Sequence, residues 1–116
     1  LNDKNPIIYG DGEQTRDFTY IKNVVNANIL AARTERPLNG EVINVACGKR
    51  IDLNQLVEKL NSIIGKNIEP VYEDERAGDI KHSLADISKA KRLINYSPIY
   101  DIDEGLKETV EWYENE

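Results

Sequence analysis

A chain of 116 residues with 40% hydrophobic and 31% charged side chains has the make-up of one soluble globular domain with a modest core. Its formal charge of −6 excludes a general nucleic-acid binder, because a phosphate backbone demands a basic face. No apolar run is long enough to span a membrane, no signal-peptide core stands near the start, and the single Cys47 has no internal disulfide partner; together these predict a cytoplasmic protein with no membrane partner.

Methionine is absent and the first residue is Leu1. A piece of a longer protein is expected, with a small processed protein as the other reading.

Ile7-Ile8-Tyr9, after Pro6, predicts a short strand. Gly10-Asp11-Gly12 follows, and its glycines permit the positive φ of a tight turn. Arg16 to Ile21 alternates well enough for a second short strand. Asn23 is placed to cap a helix running to about Arg33, closed off by Pro37. Val24, Val25, Ala27, Ile29 and Leu30 make that helix apolar nearly all round, which predicts burial on more than one side. Val42 to Cys47 reads as a continuous buried strand of a parallel sheet. One such helix and strand form half of an α/β layer without a neighbour, so they are expected to pack against a sheet outside this chain.

Asp52 to Ile64 is the clearest helix, with Leu53, Leu56, Val57, Leu60 and Ile64 on one face. Asp52 and Gln55 have capping-box spacing, and Gly65 stops the helix. Ile68 to Tyr72 predicts a strand. Asp86 is placed to cap a short helix over Ile87, Ala90, Leu93 and Ile94, and Pro98 breaks the chain. A last helix starts at Asp101, with Glu104 at the capping-box position and Ile102, Leu106, Val110 and Tyr113 facing inward. No repeat, linker or low-complexity tract interrupts the domain.

Two arginines stand out chemically. Arg16 follows the glycine turn, and Arg76 lies in Glu75-Arg76-Ala77-Gly78-Asp79. A planar, always charged guanidinium suits a phosphate. Two such groups with a carboxylate are what a nucleoside diphosphate needs. Each residue also has a plainer reading. Arg16 could pair with Asp17 or Asp11 at the surface, and Gly78-Asp79 could be an ordinary turn. Asp17 is expected to bond loop amides beside Phe18. His82 has no Ser or Cys partner and reads as structural or solvent-facing. Cys47 reads as a small buried side chain, and Trp112 and Tyr113 as packing. No His, Cys, Asp or Glu set has metal-ligand spacing.

The ordered motifs GDGEQTRDFTYI, INVACGKRIDLNQL, ERAGDIKHSLADISKAKRLINYSP and DEGLKETVEWY resemble the end of extended short-chain dehydrogenases/reductases. The resemblance covers nearly the whole chain. It is to NAD-dependent nucleotide-sugar epimerases and dehydratases, in particular UDP-glucose and UDP-N-acetylglucosamine 4-epimerases. It implies an α/β (α+β-like) fold: residues 1–116 would be the C-terminal substrate-binding part of a larger enzyme whose N-terminal Rossmann domain lies outside the chain. That half would carry NAD and transiently oxidise C4 of the sugar, and full-length members often form homodimers through it.

Within this chain, the resemblance implies that Arg16 and Arg76 reach the diphosphate of a UDP-sugar and that Asp79 accepts from ribose hydroxyls. The backbone around Ile7 and Tyr9 would run along the uracil ring. It implies no catalytic, cofactor-binding or metal residue here: the only Gly-x-Gly opens no helix, and no Tyr is followed four residues later by Lys. Three departures stand out. Asn23 replaces a frequent Asp, Ala46-Cys47-Gly48 a common Gly-Thr-Gly, and Ala77 a frequent Pro. A 4,6-dehydratase or decarboxylase of the same superfamily shares these motifs, and a non-catalytic binding or scaffold module is the reading from another class.

Overall fold

The computed structural model describes residues 1–116. Its elements, in chain order, are β1 (Ile7–Tyr9), β2 (Thr15–Arg16), α1 (Ile21–Arg33), β3 (Ile51–Asp52), α2 (Leu53–Ile64), β4 (Val71–Glu73), α3 (Ser88–Ile94) and α4 (Ile102–Glu114). β1 pairs with β4 in parallel, Ile7 opposite Val71 and Tyr9 opposite Glu73. β2 pairs with β3 antiparallel, Thr15 opposite Asp52. Thr15 also bridges His82. These pairings draw the glycine turn, the start of α2 and the segment after β4 to one end of the molecule.

The core is small. Ala27 of α1, Ala90 and Ile94 of α3, and Ala46, Ile87 and Tyr96 from the connecting segments form one buried cluster. Small alanines let α1 and α3 approach closely, and the Tyr96 hydroxyl reaches the Ala46 carbonyl at 2.7 Å. α2 lies beside α4. α2 begins as its sequence predicts: the Asp52 carboxylate accepts from the Gln55 amide at 2.7 Å, and the Gln55 side chain accepts from the Asp52 amide at 3.0 Å. Gly65 closes it at φ 67°, in the left-handed region that glycine enters freely.

The chain is a slab of 48 × 36 × 18 Å with a radius of gyration of 16.7 Å. A compact chain of this length would have about 13 Å. Its accessible surface is 8154 Å², about 1,700 Å² above that of a compact monomer of the same mass. The excess includes an apolar stripe on α1, where Ile21, Val25 and Ile29 are 63%, 50% and 43% exposed.

Several expectations are corrected. Val42 to Cys47 forms no strand, because no strand of this chain pairs with it. Its backbone groups turn instead to side chains: Val42 O to Lys89, Ala46 O to Tyr96 and Cys47 N to Asp17. Within this chain α1 buries only Asn23 and Ala27, leaving Ile21, Val25 and Ile29 uncovered. It begins before Asn23, with Tyr20 as a cap residue whose side chain makes no capping bond and donates instead to Glu108 at 2.7 Å. Asn23 is fully buried and bonds across the fold, its Oδ1 accepting from Ile99 N and Tyr100 N and its Nδ2 donating to Tyr100 O. A tertiary partner has won over local capping.

The second strand stops at Arg16, and β4 is shifted to Val71–Glu73 by its pairing with β1. Asp86 bonds Ser88 N one position before the cap residue Ile87. Tyr113 and Trp112 are 60% and 58% exposed, packed chiefly on each other edge to face.

Candidate functional site

The site residues come from two distant stretches of chain. The first is β1, the Gly10–Gly12 turn and β2. Gly10 at φ 118° and Gly12 at φ 78° reverse the chain within a few residues, conformations that a side chain would strain. Gln14 is buried and donates to Tyr9 O at 2.9 Å, which ties the far side of the turn to the end of β1. The second stretch is the exposed segment after β4. It is held at its start by Gly10 N donating to Glu73 O, and at its end by Thr15 N donating to Lys81 O, both 2.9 Å.

Between these two anchors the four singled-out residues meet. Arg16 Nη2 donates to Asp79 Oδ1 at 2.8 Å. Its Nη1 donates to Thr15 O at 2.7 Å and reaches Lys81 O at 3.4 Å. The guanidinium is thus oriented from one side by carbonyls and from the other by a carboxylate. Arg76 lies over the Tyr9 ring, 3.9 Å from its centroid, a cation–π contact. Asp79 N donates back to Arg76 O at 3.2 Å, closing the tight turn that carries both.

Arg16 therefore pairs with neither of the nearby acids considered from sequence. Asp11 is engaged by Lys81 Nζ at 2.7 and 2.8 Å. That hydrogen bond holds the Asp11 carboxyl below its ordinary range and pushes the Lys81 ammonium up. Asp17 accepts from Cys47 N at 3.0 Å and Gly48 N at 2.9 Å, the loop-amide role expected of it. It fixes the Ala46-Cys47-Gly48 turn to the segment after β2.

His82 bonds Thr15 Oγ1 through Nδ1 at 2.9 Å, a structural bridge. Cys47 is half-buried, with Asn23 Nδ2 and Tyr100 O each 3.7 Å from its sulfur. Burial, reinforced by the nearby Asp17, pushes its thiol up, the reverse of what a nucleophile needs. No cluster of three or more His, Cys, Asp or Glu is placed to hold a metal ion.

Sequence reasoning passed over Asn54 and Lys81. Lys81 closes the turn on Asp11. Asn54, at the start of α2, bonds the same turn and β4: its Nδ2 donates to Asp11 O at 3.1 Å, and its Oδ1 accepts from Tyr72 Oη at 2.6 Å. A polar residue within the capping box, between Asp52 and Gln55, is the faint signal that was available.

A turn-anchored arginine, a second arginine beside a carboxylate and this order of short strands and helices define the class: an extended short-chain dehydrogenase/reductase. More narrowly, the chain belongs to the family described as GDP-mannose 4,6 dehydratase, which matches residues 1–109.

The UDP-glucuronate 4-epimerase of Thermodesulfobacterium geofontis is 45% identical over 97% of this chain and 34% of its own length. The UDP-N-acetylglucosamine 4-epimerase of Methanobrevibacter ruminantium, solved in complex with UDP-N-acetylmuramic acid, is 47% identical and superposes with a TM-score of 0.88 over 98% of this chain and 36% of its own. The UDP-glucuronic acid 4-epimerase of Bacillus cereus, in complex with UDP-glucuronic acid and NAD, is 34% identical with a TM-score of 0.90 over 97% of this chain and 36% of its own. The chain spans about a third of the length of these relatives.

NAD does not fit the residues present here. Gly10-Asp11-Gly12 leads into β2 and opens no helix, so it lacks the strand–glycine turn–helix arrangement that seats a dinucleotide phosphate.

Proposed function

We propose that residues 1–116 form the C-terminal, UDP-sugar-binding part of an NAD-dependent UDP-sugar 4-epimerase, with UDP-glucose or UDP-N-acetylglucosamine as the substrate. The observation that carries this reading is the convergence of Arg16, Asp79, Arg76 and Tyr9 on one exposed end of the fold, from segments far apart in sequence. Arg16 and Arg76 hold the diphosphate. Asp79 accepts from the ribose hydroxyls once the diphosphate takes its place on Arg16. The backbone at Ile7 and Tyr9 runs along the base.

In this reading the chain's task is to bind and orient. A 4-epimerase must let the sugar turn over between oxidation and re-reduction at C4 without losing it. Two charge-assisted contacts on the diphosphate keep the nucleotide end fixed while the sugar end moves. The redox chemistry belongs to the NAD-bearing domain, which packs on the exposed stripe of α1.

The family match carries a dehydratase description, which favours a 4,6-dehydratase as the second reading. Incubating the full-length protein with UDP-glucose, UDP-N-acetylglucosamine and UDP-glucuronate separates the two. The epimerase reading expects a product of unchanged mass with inverted C4. A 4-keto-6-deoxy product, or mass lost as water or carbon dioxide, refutes it. A protein that binds UDP and converts none of the three is a binding module.

A further inference from the structure

Asn54 bonds the glycine turn of the candidate site and also β4, the strand that leads into the site's second segment. Its main-chain N–H donates to Gly12 O at 3.1 Å, and its side chain donates to Asp11 O at 3.1 Å. Two successive carbonyls of the glycine turn are therefore taken by one residue. Its remaining acceptor, Oδ1, takes the Tyr72 hydroxyl of β4 at 2.6 Å.

The side-chain bonds are not needed to start the helix. The Asp52–Gln55 capping box already serves the N-terminus of α2. The fit is also close: a Cβ on Gly12 would lie 2.1 Å from Asn54 Oδ1. A side chain at residue 12 would displace the Asn54 amide from its bonds, besides straining the backbone.

From this point, bonded links run to each arginine. On one arm, Asp11 grips Lys81 Nζ, and Lys81 O in turn accepts from Thr15 N and Arg16 Nη1. On the other, Tyr72 is followed by Glu73, whose carbonyl accepts from Gly10 N, and then by the segment that lays Arg76 over Tyr9. Without the Asn54 side chain the turn keeps one of its two carbonyl contacts and β4 loses its tie to α2. The two arginines then lose a common reference.

We propose that Asn54 is a positioning residue for the nucleotide diphosphate, holding the Gly10–Gly12 turn and β4 together so that Arg16 and Arg76 reach one ligand. The proposal rests on the nucleotide-sugar reading above.

The test is calorimetric titration of UDP into the full-length protein and its Asn54→Ala, Arg76→Ala and double variants, with KM and kcat measured alongside. Asn54→Ala should weaken UDP about tenfold and raise KM by a like factor, with a much smaller fall in kcat. In the Arg76→Ala background the same change should cost less than about threefold, because its effect passes through the arginine. A purely structural role would instead lower the melting temperature and multiply with the arginine effect.

A folded Asn54→Ala variant that binds UDP within about twofold of the parent, or a fully multiplicative double variant, overturns the proposal. Should Asn54→Ala not fold, Tyr72→Phe removes only the hydroxyl that Asn54 receives. It should weaken UDP about threefold, and unchanged affinity overturns the proposal equally. A parent that binds no UDP fails at an earlier and distinct point, overturning the nucleotide-sugar reading and this inference with it.

Discussion

Replacing Arg16 with alanine separates a binding role from a structural one. In the free protein its guanidinium makes one ion pair, to Asp79, and bonds to two backbone carbonyls. The paired side chains are 28% and 33% exposed. Solvent screens such a pair, so its loss costs about 0.5 kcal/mol, within the range of surface ion pairs. The carbonyls it leaves lie near the surface and are rehydrated, so the whole structural cost is about 1 kcal/mol. In a full-length protein the size of its relatives that is a fall of no more than roughly 2–4 °C in melting temperature.

The binding cost should be larger. A charge-assisted contact to a phosphate contributes about 1.5–3 kcal/mol, a factor of roughly ten to more than a hundred in Kd. Arg16→Lys should recover only part of it, because an ammonium lacks the fork. The assay is UDP titration and UDP-sugar KM on the full-length protein, beside a thermal melt. If Arg16→Ala melts several degrees lower yet binds UDP as the parent does, the residue is structural and the site assignment is wrong.

Arg76→Ala should raise KM for the UDP-sugar by a similar factor, about tenfold or more, with a melting temperature close to the parent's because its segment is exposed. Asn23→Ala should destabilise by about 3 kcal/mol in denaturant unfolding, since it strands the amides of Ile99 and Tyr100 and the Tyr100 carbonyl in a buried site. Acid should destabilise the fold. Asp11, Glu41, Asp86 and Glu108 are each held below their ordinary range by hydrogen-bonding partners. Their contribution is present above the unfolded value near about 4 and lost as pH falls through the lower folded values. Melting temperatures measured from pH 6 downward should therefore drop, and a flat profile contradicts these pairings. The 116-residue chain alone should bind no NAD tightly and should self-associate through the exposed α1 stripe, as read by sedimentation over a concentration series. A strictly monomeric chain with strong amide-exchange protection through Val42–Cys47 contradicts this.

The local signals in the sequence were reliable where the partner was also local. Asp52, Gln55 and Gly65 bound α2 as their spacing predicts, because every bond involved lies within one turn of helix. Asn23 misled because capping and tertiary bonding use the same amide, and only the fold brings Ile99 and Tyr100 to it. Val42 to Cys47 has the composition of a buried strand, but a strand also needs a neighbour, and no neighbour stands within the chain.

The four candidate residues were legible as residue types in their order along the chain. Their pairing was not. That Arg16 would take Asp79 rather than Asp11 or Asp17 depends on where Lys81 and the Cys47 and Gly48 amides lie. Asn54 was invisible for the same reason, since its importance lies in what three separated segments do around it.

The most direct measurement is a crystal structure of the full-length protein with UDP. The account predicts phosphate oxygens within hydrogen-bond distance of both Arg16 and Arg76, the Asp79 carboxylate on the ribose hydroxyls, and the uracil along Ile7 and Tyr9. UDP bound elsewhere, with Arg16 still on Asp79 and no phosphate oxygen near either guanidinium, would contradict it.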